Sequence, residues 1–278
     1  MSAISVKGVW KEYDDRVVLE QIDLEIAARS FVALVGPSGC GKTTFLKMLL
    51  SEELPSRGVI KLDGTPLPTE PGADRGVVFQ RYSVFPHLTV LGNVLLGLEM
   101  KGSPYLGKLF GARRRAAAEE ARELLAAVGL TDAETKYPAQ LSGGMQQRLA
   151  LAQALVAKPK LLLLDEPFGA LDPGIKAEIH TLMRRLWNER PLTVVMVTHD
   201  MSEAFTLGTR VIAFERRRNE PSDGGRYGAS ITRDIEIWPS RVAAAARDQD
   251  KAISPGRDDP AHDPGRGRDD PAIQGALA

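Results

Sequence analysis

Phe31-Val32-Ala33-Leu34-Val35-Gly36-Pro37-Ser38-Gly39-Cys40-Gly41-Lys42-Thr43-Thr44-Phe45-Leu46-Lys47-Met48-Leu49-Leu50 is the stretch from which the fold of this chain is read. Five apolar residues suit a buried strand, and the largely apolar run after Thr44 suits a helix. Between them Gly36 to Thr43 fits G-x-x-x-x-G-K-[ST], with a second hydroxyl at Thr44. Strand, glycine-rich turn and helix in that order make a phosphate loop. The segment Gly36, Pro37, Ser38, Gly39, Cys40, Gly41 can curl so that backbone N–H groups converge on phosphate oxygens. Lys42 then brings a point charge to the β/γ end of a nucleotide, and Thr43 offers an oxygen to Mg²⁺.

Working outward, the segment from Ile4 to Val35 reads as strands. Ile22, Leu24 and Ile26 alternate with Gln21, Asp23 and Glu25, a period of two with one face buried, and Tyr13 falls in the turn before them. Arg57 to Gly64 and Arg75 to Gln80 add two more strands, the second ending in the polar amide of Gln80. Helices follow over Thr89 to Leu98 and over Arg113 to Val128, the latter closed by Gly129. Gly102 to Gly111 between them breaks both patterns and reads as a packed loop or a partner-binding insertion. A helix over Met145 to Ala157 is preceded by Ser142-Gly143-Gly144. Leu161-Leu162-Leu163-Leu164 suits a strand buried on both faces, as in a parallel sheet, which presents Asp165 and Glu166 at its C-terminal end, where such sheets hold ligands. Pro173 opens a further helix, and Thr193 to Val197 repeats the design with His199 at its tip.

Composition narrows the function. Lys plus Arg and Asp plus Glu stand at 36 each in 278 residues, so no basic field exists to hold a nucleic-acid backbone, and no nucleic-acid partner is expected. The single cysteine, Cys40, suits a reducing compartment, and the start Met1-Ser2-Ala3-Ile4-Ser5 lacks the features of a signal peptide. The apolar windows at 88–98 and 161–164 fall short of the roughly 18 to 20 residues that span a bilayer. A membrane role is therefore expected to be peripheral. Beyond Phe214 a hairpin loop over Arg216 to Gly225 precedes the strand-like Ala229 to Trp238. The hexapeptide Gly256 to Ala261 recurs as Gly267 to Ala272, rich in proline, glycine and charge, so 240–278 is expected to be a disordered tail behind a domain of residues 1–239.

The combination of the phosphate loop with Leu141-Ser142-Gly143-Gly144-Met145-Gln146-Gln147, Asp165-Glu166-Pro167, Gly169-Ala170-Leu171-Asp172 and His199 resembles the ATP-binding subunits of ABC transporters over residues 3–215. That resemblance implies an α/β P-loop fold with a parallel sheet, an antiparallel β subdomain and a helical subdomain near 83–141. It implies that Asp165 holds Mg²⁺ together with Thr43 and Gln80, and that Glu166 is the general base for the attacking water. It also implies that Gln80 senses the site, that His199 contacts the γ-phosphate, and that Tyr13 stacks on adenine. Ser142, Gly143 and Gly144 would bind ATP held by a second copy, in a head-to-tail dimer with Asp172 reaching across the seam. The expected partners are that second copy, transmembrane permease subunits and, indirectly, a solute-binding protein, at the cytoplasmic face of the membrane. Pro71 to Gln80 and Phe168 to Asp172 look most like the nitrate/sulfonate/taurine importer branch, although Gly169 stands where many members have serine. Two other readings stay open at this point: an ABC ATPase acting on DNA or ribosomes, and a P-loop kinase, which would leave Leu141 to Gln147 unexplained. Alkylation of Cys40 is expected to block the nucleotide sterically.

Overall fold

A computed structural model of the chain describes residues 2–80, 84–103, 107–216 and 226–237. The chain begins with β1 (Ser2–Tyr13), β2 (Arg16–Ala27) and β3 (Phe31–Val35), then α1 (Lys42–Leu50), β4 (Arg57–Leu62), β5 (Thr65–Pro66) and β6 (Arg75–Val78). Helices α2 (Val90–Gly102), α3 (Gly111–Ala127) and α4 (Gly143–Leu155) follow. The chain then alternates through β7 (Leu161–Asp165), α5 (Pro173–Glu189), β8 (Thr193–Val197) and α6 (Met201–Leu207), and closes with β9 (Arg210–Glu215) and β10 (Ser230–Glu236).

Two sheets result. β2-β1-β4-β5 is antiparallel, and β10-β9-β3-β8-β7-β6 is parallel except for the antiparallel edge strand β10. Leu19 bridges Ala229, with Glu20 N–H donating to the Ala229 carbonyl at 2.9 Å, and this joins the two sheets. The period of two divides the parallel sheet into two faces. Val32, Leu34, Leu161, Leu163, Val195 and Val197 join α1 and the antiparallel sheet in one core. Phe31, Ala33, Leu162, Leu164, Val194 and Met196 join α2 to α6 in the other. Helix α1 is therefore wedged between the sheets, with Phe45, Leu46, Met48 and Leu49 almost wholly buried. Each such side chain contributes about 1.5–3 kcal/mol on leaving water, so the helix behind the glycine-rich turn is anchored over its whole length.

Several boundaries differ from those read in the sequence. α2 runs four residues past Leu98 to Gly102, so the first residue of the supposed loop is helical, as is its last, Gly111. Leu109 packs against the helical core and Phe110 stands exposed, while Tyr105 and Leu106 lie outside the described residues. α4 starts at Gly143 rather than Met145, because Ser142 takes the cap position and accepts the Met145 N–H. Tyr13 is the last residue of β1, and the turn itself is Asp14-Asp15. Within the region assigned to a helical subdomain, α2, α3 and short 3₁₀ turns at Thr131–Ala133 and Pro138–Gln140 are seen. Its expected first residue, Ser83, lies outside the described residues, as do 217–225 of the hairpin loop and the tail 240–278. Among the described residues no helix is long and apolar enough to cross a membrane.

Candidate functional site

The parity of β7 determines what Asp165 meets. Leu161 and Leu163 face α1, so Asp165, two further along, faces α1 too, and Thr43 in its first turn donates its hydroxyl to Asp165 Oδ1 at 3.1 Å. Burial pushes the Asp165 carboxyl above its usual range, and Glu166 adds to this, against the Thr43 hydrogen bond and the charges of Lys42 and Lys47. Such a carboxylate is stabilised by a cation. Two hard oxygens at this spacing fit Mg²⁺, which takes one or two protein oxygens and completes its shell with phosphate and water. Among the described residues no cluster of three or more His, Cys, Asp or Glu forms a cage of its own.

Glu166 leaves the strand in the left-handed region, at φ +45°. A non-glycine residue there costs about 1–3 kcal/mol and persists where its surroundings hold it. Here its N–H is bonded to the Val197 carbonyl at 2.9 Å on the neighbouring strand β8. The turn aims the carboxylate at the tip of β8, where His199 Nδ1 stands 3.3 Å from Glu166 Oε2. The imidazole is largely exposed, with 62% of its side-chain surface open. An acid and an imidazole at that distance can share the orientation of one water molecule.

The glycine-rich turn closes the other side. Lys42 is buried, and its ammonium donates to the carbonyls of Gly36 at 2.7 Å and Pro37 at 2.9 Å. Gly39, Lys42, Thr43, Thr44 and Glu166 line an open cleft of about 730 Å³. Tyr13 lines it as well, with its hydroxyl bonded to Glu53 and the Lys11 ammonium 4.6 Å from its ring centroid. Burial, then the hydrogen bond and charge of Glu53, push the Tyr13 phenol up to about 12.

Not every residue singled out in the sequence is brought to this cleft. Gln80 is exposed just beyond β6 and does not line it. Ser142, Gly143 and Gly144 are also absent from its walls and start α4 against the beginning of α5, where a Cβ on Gly144 would stand 2.5 Å from Ile175 Cγ2. Ser142 and Gly143 are exposed there, at the N-terminus of a 13-residue helix, an anion-favouring place. Asp172 is exposed at the N-cap of α5 without a capping hydrogen bond from its side chain. Cys40 is 4% exposed, packed with Phe45 and Phe214, its N–H bonded to the Pro37 carbonyl and its Sγ 3.7 Å from Lys42 Nζ. Four residues of the cleft were missed: Asp14 and Asp15 of the turn, and Arg16 and Val18 beyond it. Arg16 and Val18 lie two apart on β2, so strand parity beside Tyr13 was the available signal for that pair.

The sequence profile described as ABC transporter matches residues 19–169. The chain is 44% identical over 218 residues to the aliphatic sulfonates import ATP-binding protein SsuB 1 of Burkholderia lata, an alignment covering 78% of this chain and 62% of that protein. It is 41% identical over 276 residues to the protein of the same name from Paraburkholderia xenovorans, covering 96% and 74%. The fold superposes on the dimeric structure of MJ0796, a bacterial ABC transporter cassette, with a TM-score of 0.69 and 32% identity, covering 85% of this chain and 99% of that one. The chain thus spans a little under two thirds of one of these relatives and about three quarters of the other.

Proposed function

The chain belongs to the ABC transporter family, and from that premise we propose that it is the ATP-binding and ATP-hydrolysing subunit of a membrane importer. The observation that carries the reading is the convergence of Thr43, Asp165, Glu166 and His199 beside the glycine-rich turn, with Ser142 outside the walls of the cleft there. On this reading residues 1–239 are the nucleotide-binding domain. The turn and Lys42 hold the phosphates of ATP, the Tyr13 ring meets the base, and Thr43 and Asp165 hold Mg²⁺, which supplies charge neutralisation at the phosphates. Glu166 takes the proton of the attacking water, and His199 orients that water with it and meets the γ-phosphate. Gln80 reports occupancy to the helical layer.

The separation of Ser142 from the cleft supports a dimer in which the exposed start of α4 in one copy faces the phosphates held by the other, with Asp172 at the seam. MJ0796 forms a dimer as a cassette of this kind. The permease is then the element that crosses the membrane, this chain lies at its cytoplasmic face, and a solute-binding protein delivers the cargo. The sulfonate importers among the relatives support a small oxyanion such as a sulfonate as that cargo. The test is the Glu166→Gln variant of the full chain. With Mg²⁺ and ATP it is expected to pass from monomer to dimer by light scattering while hydrolysis falls to background. A variant that stays monomeric at saturating ATP, with and without permease subunits, rules out the two-copy site.

A further inference from the structure

Both flanks of His199 are tied to one point on α5. Thr198, which is buried, donates its hydroxyl to Glu203 Oε2 at 2.7 Å and accepts the Asp200 N–H at 3.0 Å. Asp200 accepts the N–H groups of Ser202 at 2.8 Å and Glu203 at 3.4 Å, starting α6. Lys176, four residues beyond Asp172, reaches both carboxylates: its Nζ stands 2.7 Å from Glu203 Oε1 and 3.4 Å from Asp200 Oδ2. The Glu203 contact is an ion pair off the line of a good hydrogen bond.

The charges explain why this contact is more than a surface pair. Glu203 is 3% exposed, and among the described residues no other cation lies within ion-pair distance of it. His180, whose buried Nε2 lacks a hydrogen-bond partner, does not substitute, because burial pushes its imidazole down and favours the neutral form. Lys176 is held above its usual range first by Glu203 and then by Asp200. Removing one member of a buried pair leaves an uncompensated charge, and the segment carrying it must rearrange to reach water or a proton. That segment is 198–203, and His199 lies within it.

We propose that Lys176 is a positioning residue for His199: through Glu203, Thr198 and Asp200 it sets the distance from the imidazole to Glu166 and makes that distance follow the start of α5. The proposal rests on the reading of Glu166 and His199 given above. The positioning acts on a water aligned after ATP is bound, so its loss is a loss of turnover rather than of affinity.

The experiment uses the full chain as wild type, Lys176→Met, Lys176→Arg and Thr198→Val. ATP turnover with Mg²⁺ is measured alongside hydrogen exchange of the peptide covering 197–207. For Lys176→Met, kcat is expected to fall by about tenfold or more with KM within about twofold. Lys176→Arg restores most of the rate, and amides 198–203 exchange faster in the Met variant and in Thr198→Val but not in the Arg variant. Unchanged kcat and exchange in Lys176→Met overturn the proposal. So does a fall in kcat matched by a rise in KM and a lowered unfolding midpoint, the pattern of a merely structural pair. A wild-type chain that does not hydrolyse ATP overturns the transport reading instead, and the exchange comparison still decides whether Lys176 holds the segment.

Discussion

Gly36→Ala is a steric perturbation whose size follows from the backbone. Gly36 leaves β3 at φ +147°, and a Cβ there would stand 2.1 Å from the carbonyl oxygen of Phe214. That oxygen belongs to β9, whose Ala213 pairs with Val35 one step earlier in the parallel ladder, so it cannot swing aside as a side chain could. A comfortable contact needs roughly 3.5 Å, so the ends of β3 and β9 would have to part by about an ångström or more. Overpacking of this kind costs about 1–3 kcal/mol, and the unfavourable φ adds about 1 kcal/mol or more. The expected loss is therefore roughly 2–4 kcal/mol from a total that is typically 5–15 kcal/mol. Gly39→Ala is the control: its φ of +76° is also left-handed, but a Cβ there would meet nothing within 4 Å. It carries the strain alone, about 1–2 kcal/mol. Urea unfolding of both full-chain variants, followed by circular dichroism, reads the difference as a larger fall in midpoint for Gly36→Ala at unchanged slope. Equal losses in the two variants would refute the claim that the β9 carbonyl, rather than the turn conformation, fixes glycine at position 36.

Two further predictions concern ionisable groups. The Asp165 carboxyl is raised by burial, so the fold binds its proton more readily than the unfolded chain, and stability falls as pH rises from the ordinary carboxylate range through the raised value. Asp165→Asn, which keeps an acceptor for Thr43, is thus expected to be more stable than wild type at pH 7 without Mg²⁺ by urea unfolding. The gain vanishes in acid, and Mg²⁺-dependent ATP binding is weakened; a variant less stable at pH 7 contradicts the burial argument. Tyr13 is expected to ionise at about 12 in an ultraviolet titration of the native chain, with Glu53→Gln moving it down towards the usual value near 10. Because the folded value is raised, stability is fully present below about pH 10 and lost as pH climbs towards 12, less steeply in Glu53→Gln. A Tyr13 titration unmoved by Glu53→Gln would show that the hydroxyl contact does not govern it.

What could be read in the sequence followed from periodicity and from spacing. Leu161 to Leu164 announced a strand with two covered faces, and the same alternation that divides those leucines between the cores turns Asp165 towards Thr43. His199 was found because it follows another apolar strand, and the two strands are neighbours. Lys176 and Glu203 were not found. A basic residue in the first turns of an amphipathic helix looks like a solvated one, and nothing local marks Glu203 as buried, since its burial comes from the docking of α6 beside α5. The left-handed backbone of Glu166 was equally silent, being held by the hydrogen bond its N–H donates to the carbonyl of Val197 on β8, a strand that lies beyond the whole of α5 in the chain. The direction of the Cys40 side chain was lost for a related reason: a loop motif specifies backbone shape, while the core behind it decides which way the small side chain turns.

The parallel sheet keeps the cores on its two faces apart. Phe45 and Leu49 of the helix behind the phosphate turn belong to one, whereas Leu149 and Leu151 of the helix that starts beside Ser142 belong to the other. The consequence is evolutionary. Substitutions that reshape α2 to α4 to suit a new neighbour repack a volume that shares no side chain with the bed of α1. Descendants of this chain can therefore change what they dock against without repacking the bed of the helix behind the phosphate turn.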